Sequence, residues 1–189
     1  MPNKDFDFPV LVDNTMISCF NACGTKWFYE HGHHLSPLAI NPNLHAGGAF
    51  ARGLELARRA FYQNHLSEDQ ALISGFRGIA SFWGDFEPPM KNPKTFEAVI
   101  GALEDYFREY PMSTDLYKPY ILADKSSAIE FTFSIPTEIK HPTTSDPILY
   151  AGRFDMLAQY DNSFLAIMDE KTTERGLACN WAAQWAMRG

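Results

Sequence analysis

Gly152-Arg153-Phe154-Asp155 and, further on, Met168-Asp169-Glu170-Lys171-Thr172-Thr173 decide how this chain folds, because the segment joining them reads as one β-hairpin. Met156-Leu157-Ala158-Gln159-Tyr160 and Phe164-Leu165-Ala166-Ile167 are strand-like runs, and Asp161-Asn162-Ser163 between them has turn chemistry. With residues 161–163 as the turn, Tyr160 faces Phe164. Counting back along the antiparallel register then sets Asp155 opposite Asp169. Side chains alternate across a strand, so Asp169 and Lys171 share a face while Glu170 points away. Two carboxylates and a lysine converge on one side of the hairpin. Like charges at short range repel, and a hard divalent cation with oxygen ligands is the natural occupant of such a cluster. The competing reading is a solvated strand end with cross-strand charge pairs. Against it stands the continuous apolar run from Phe164 to Met168, which predicts a strand buried on both faces with its charges at the rim of a core.

G-x-x-D, a hairpin, and then D-x-K-T-T resemble the PD-(D/E)XK nuclease superfamily, in particular its RecB-like, phage exonuclease branch. That resemblance implies an α/β fold with a restriction-endonuclease-like core, a central mixed sheet flanked by helices, in a single domain over 1–189. It implies Asp155 and Asp169 as metal-binding acids, Lys171 as the catalytic lysine, and the backbone carbonyl of Glu170 as a further metal contact. The implied cofactor is Mg2+ or Mn2+, the substrate DNA, and the reaction phosphodiester hydrolysis, exonucleolytic and in the setting of phage-type recombination, repair or replication. In such a site the ion acidifies a bound water, and Lys171 orients that water or stabilises developing charge.

Further segments carry the resemblance outward. Asp13-Asn14-Thr15 can cap a helix beginning near Met16, and Ser18 to Cys23 before Lys26-Trp27-Phe28-Tyr29 resembles the family's opening helix, with Gly24 where proline is usual. Ala46 to Tyr62 predicts a helix with an apolar stripe at Phe50, Leu54, Ala57 and Phe61. It resembles the family helix G-x-x-(F/I)-H-x-x-L-E, except that Ala51 stands where many relatives carry a metal-contacting histidine. Glu55 matches the acid of that helix and reads either as an outer metal ligand or as a partner of Arg58 or Arg59. His45 lies six residues before Ala51 and reads either as an approach to the metal or as a surface histidine. Arg52, Arg58 and Arg59 are candidates for phosphate contacts or solvated helix charges. Glu130, on an alternating strand Ala128 to Ile135 that Pro136 is expected to end, matches an acid often found before the G-x-x-D strand, which implies a supporting or metal-ligand role.

Ser67-Glu68-Asp69-Gln70 is a capping box, and a further helix is expected from Asn92-Pro93 with Phe96, Ile100, Leu103, Phe107 and Tyr110 buried. These two helices have no counterpart in the minimal family core and read as a helical insertion, 65–111. Leu177 to Met187 has the makeup of an amphipathic helix. Family members carry Q-x-x-x-Y there; Gln184 is present and, with Thr172, is a candidate substrate contact, but the position four later is Arg188. The motif's end and the last core strand are therefore expected beyond residue 189, supplied by further sequence or a partner chain.

Composition sets bounds. The 189 residues, 46% of them hydrophobic, can build a sizeable core, and no stretch approaches the ~20 apolar residues of a membrane span. The first residues lack the layout of a secretory signal, so cytoplasm is the expected compartment. A net charge of −7 disfavours a broad basic DNA-binding face, though not an enzyme that grips a few phosphates locally. Cys19, Cys23 and Cys179 form no zinc pattern and too small a set for the iron–sulfur cluster of some relatives, so no cluster is expected and buried thiols are. His31-Gly32-His33-His34 reads as a solvated helix end rather than a ligand set. Two other function classes stand beside the nuclease: a catalytically inactive nuclease-like module that binds nucleic acid or a replication or recombination partner, and a paired-acid glycosidase, which Lys171 argues against.

Overall fold

The computed structural model describes residues 8–161 and 163–170. Its N-terminal half is helical. Asp13 accepts the Met16 amide at 2.7 Å and starts α1, Asn14–Ala22, which breaks at an extended Cys23. A short α2, Gly24–Trp27, runs into a π-helical turn, Phe28–Gly32. Asn41 caps α3, Pro42–Arg58, whose proline sits in the first turn, where no amide is needed. The expected capping box starts α4, Glu68–Trp83, with Ser67 and Gln70 satisfying each other's backbone amides. Helix α5, Phe96–Glu109, begins later than the Asn92-Pro93 expectation. Asn92 is used up in a turn, bonding the Lys94 amide, and Thr95 caps the helix instead. Tyr110, expected inside, is 55% exposed because it lies past the helix end.

Helices α3, α4 and α5 share the larger hydrophobic core, built on Ala49, Leu54, Ala57, Ile79 and Leu103. The segment 65–111 thus supplies two of its three helices. The contact is tight because glycines let backbones meet: a Cβ on Gly75 would lie 3.0 Å from the Gly53 carbonyl oxygen and 2.8 Å from Leu103 Cδ2. We expect Gly75→Ala to cost about 1–3 kcal/mol through overpacking. Urea denaturation should show a lower midpoint at unchanged slope.

Among the described residues the sheet has five strands and is mixed: β1, Leu11–Val12; β2, Tyr117–Pro119; β3, Ile129–Lys140; β4, Pro147–Tyr160; and β5, Phe164–Met168. Every other strand pairs with β4. Along one edge it meets β3 and then β2, both antiparallel. Along the other it meets β1, parallel, at Leu149 and Tyr150, and then β5, antiparallel, from Met156 to Tyr160. The chain is therefore α/β, a mixed five-stranded sheet flanked by helices.

Two strand expectations are corrected. Pro136 does not end β3; it pairs with Leu149 in mid-strand. Among the described strands β3 has only β4 as neighbour, so a missing amide on its outer edge costs no ladder bond. Nor is β5 buried on both faces: Phe164, Leu165 and Ile167 are each more than half exposed, on a strand paired along one side only among the described residues.

Candidate active site

The hairpin has the register counted from sequence. Tyr160 pairs with Phe164 and Met156 with Met168, so Asp155 and Asp169 follow as the next opposed positions. Beyond the last ladder pair a side chain takes over: the Glu170 amide donates to Asp155 Oδ2 at 2.7 Å. The main chain at Glu170 is thereby tied to the first acid.

Between its contacts with β1 and β5, residues 151–155 of β4 have no strand on that edge among the described residues. An open groove of about 1200 Å³ occupies the notch. Asp155, Asp169 and Ile167 line one end; Asp13, Asn14 and Thr15, at the start of α1, line another part, with Thr132, Ser134, Tyr150 and Arg153 along the strands. Gly152 belongs to this wall for a steric reason. Its Cβ would lie 2.6 Å from the Phe133 ring, which stacks on Phe154 with centroids 4.9 Å apart.

Glu170 points the other way, as alternation requires, and its carboxylate pairs with Arg58 of α3. Arg58 is only 4% exposed; it also donates to the Tyr106 hydroxyl at 2.9 Å and lies 5.8 Å over that ring. Burial alone would loosen the guanidinium's proton, and the Glu170 hydrogen bond and charge more than reverse that. Burial also pushes the Tyr106 hydroxyl up to about 12. Arg58 as a phosphate contact is accordingly corrected: it is committed inside the protein.

His45 is corrected likewise. Its ring sits among Phe82, Trp83 and Phe86, with Nε2 donating to the Trp83 carbonyl at 3.2 Å, so it packs the helical core rather than approaching the acids. Glu55 bonds Arg52 at 2.5 Å and Arg59 at 3.0 Å. Arg52 keeps an exposed side chain beside that pair. Arg59 also donates to the Ile129 carbonyl at 2.7 Å, joining the end of α3 to β3 beside Glu130. Lys171, Thr172 and Gln184 lie outside the described residues. Of the thiols, Cys19 is half-buried and Cys23 exposed, against the expectation of burial.

Glu130 has an unusual backbone. It takes a positive φ of 51° inside β3 and pairs with Arg153 at 2.8 Å. Burial raises its carboxyl above the ordinary 4.5; Arg153 opposes this, while Glu55 adds to it. The folded state thus holds this proton more tightly than the unfolded chain. Stability from this group is full below 4.5 and is lost as pH rises through the folded value. Glu130→Gln should flatten that part of the profile and raise the thermal midpoint at neutral pH. Its lost partner, Arg153, is 65% exposed and contributes little.

The sequence gives the register that opposes Asp155 and Asp169, but not that Arg153 and the Asp13–Thr15 wall line the same groove, nor that Tyr106 stands by Glu170. Arg153 stood inside the quoted G-x-x-D; nothing in the sequence signals that the first turn of α1 reaches the same groove. Among the described residues no helix is long and apolar enough to cross a membrane. Comparison with protein-family models, curated proteins and solved structures returns no match to this chain.

Proposed function

We propose that this chain is a divalent-metal-dependent DNA nuclease with a restriction-endonuclease-like core, acting as an exonuclease on DNA. The observation that carries the reading is the meeting of Asp155 and Asp169 at one groove, with the Glu170 amide bonded to Asp155. The donor set fits the implied ion: two carboxylates and the Glu170 carbonyl are oxygen donors of the type Mg2+ and Mn2+ take. Bound there, the ion would acidify water and screen the scissile phosphate.

The chain's own residues divide the remaining work. Asp155 and Asp169 hold the ion, Asp155 also fixing the main chain that leads to Lys171. Arg58 anchors that segment from behind through Glu170. Lys171 orients the attacking water, and Thr172, Gln184 and the exposed Arg52 contact phosphates. Engagement through so few groups is compatible with a net charge of −7.

A second reading, a nuclease-like module that binds nucleic acid or a replication or recombination partner without cutting, is favoured by two observations. Glu55 is held by two arginines, and the helix position expected to carry histidine is Ala51. Incubation of linear duplex DNA with the protein and Mg2+ or Mn2+ separates the two: degradation supports the nuclease, and metal-independent binding without degradation supports the module.

A further inference from the structure

We propose that Cys19, Glu30 and His31 form a binding site for a Zn2+-class transition metal, separate from the oxygen-donor cluster at Asp155 and Asp169. Cys19 lies on α1; Glu30 and His31 lie in the π-helical turn Phe28–Gly32. The break at Cys23 and the short α2 fold this turn back toward α1, and one ligand atom from each of the three residues lies within 4.8 Å of the others. Turns of π type concentrate at functional sites.

Three observations point to an ion rather than a chance grouping. Cys19 Sγ and Glu30 Oε2 are 3.5 Å apart and hydrogen-bonded, while the other Glu30 oxygen pairs with Lys26 at 3.6 Å. Two ligands at ordinary Zn–S and Zn–O distances on a tetrahedron stand roughly 3.6 Å from each other. His31 Nε2 is buried and has no hydrogen-bond partner, whereas buried polar groups are nearly always satisfied. Finally, the set is sulfur, nitrogen and oxygen. That mixture selects a borderline metal such as Zn2+ over Mg2+ or Ca2+, which take oxygen. Three protein ligands leave a fourth tetrahedral position for water.

The Cys19 thiol stands beside the Glu30 carboxylate. Its S–H donates to Glu30. On binding, the S–H bond breaks, the proton leaves to solvent, and the sulfur electron pair forms the metal–thiolate bond. No electron is exchanged. The ion then clamps α1 to the turn that follows it, so binding stabilises the fold.

Co2+, which has strong thiolate charge-transfer and tetrahedral visible absorption, is the probe. Titrated into the chelator-stripped full chain, it should develop both signals at a one-to-one ratio, and Zn2+ should displace it. Cys19→Ser should abolish the charge-transfer band. His31→Gln should weaken binding at least roughly tenfold, the least expected from losing a ligand when outer partners alone cost that much. Asp155→Asn should leave both signals unchanged. No band in the unmodified protein, a band that survives Cys19→Ser, or a band lost in Asp155→Asn would each overturn the proposal. The first of these needs no variant to fold.

Discussion

Asp155→Asn is expected to reduce Mg2+-dependent degradation of linear DNA by at least roughly 100-fold, since even outer-shell partners of a metal ligand cost up to that much. Its folding should barely change. Asparagine keeps an oxygen for the Glu170 amide that Asp155 Oδ2 now accepts at 2.7 Å, so the thermal midpoint should stay close to that of the unmodified protein. Asp155→Ala removes both functions and should lose stability as well, by about 1–3 kcal/mol for the unsatisfied amide. Lys171→Met tests the other half of the proposal. It should lower the single-turnover rate by roughly 10²–10⁴-fold, the range for a positioned proton-transfer group, while Mg2+ still binds by calorimetry. Metal-dependent cleavage that persists in both Asp169→Ala and Lys171→Ala would sink the nuclease assignment.

The second large effect concerns stability. Arg58→Met leaves the Glu170 carboxylate buried against Tyr106 with no guanidinium, and breaking a buried pair from one side costs about 3–5 kcal/mol. For a chain of this size that is a drop in midpoint of roughly 6–20 °C. The double variant Arg58→Met, Glu170→Met should regain most of it, because an apolar pair no longer needs a counter-charge. Calorimetric melts of the unmodified protein, of Arg58→Met and Glu170→Met singly, and of the double variant measure the coupling directly. Simple addition of the two single losses would mean that the pair does not act as a unit. Activity should also fall in Arg58→Met, since Glu170 stands between Asp169 and Lys171 in the chain and its side chain is what α3 holds.

The hairpin was legible because its turn residues and its alternation both pointed to the same register, and one shift would have turned every side chain over. The helices were legible from caps and stripes at Asp13, Ser67 and Phe50. Partnerships set by tertiary contact were not. Arg58 follows Ala57 on the apolar stripe of α3, where a charge is tolerable only with a partner; that partner is more than a hundred residues later. His45 read as a surface histidine or an approach to the metal, because nothing local shows that the end of α4 packs against its ring. Pro136 read as a stop, since nothing local shows that its amide side faces away from the ladder. The groove was the least legible feature, because it exists only where β1 leaves the edge of β4 and β5 has not yet reached it.

That all four other strands lean on β4 has a consequence for how the molecule comes into being. As the polypeptide leaves the ribosome, the three core helices can assemble from neighbours alone, whereas Leu11 and Val12 must wait for Leu149 and Tyr150 to be made. Refolding should therefore be biphasic, with early helix formation and a slower sheet closure that pays the entropy of bringing distant segments together. Whatever chemistry the groove performs switches on only at that final step.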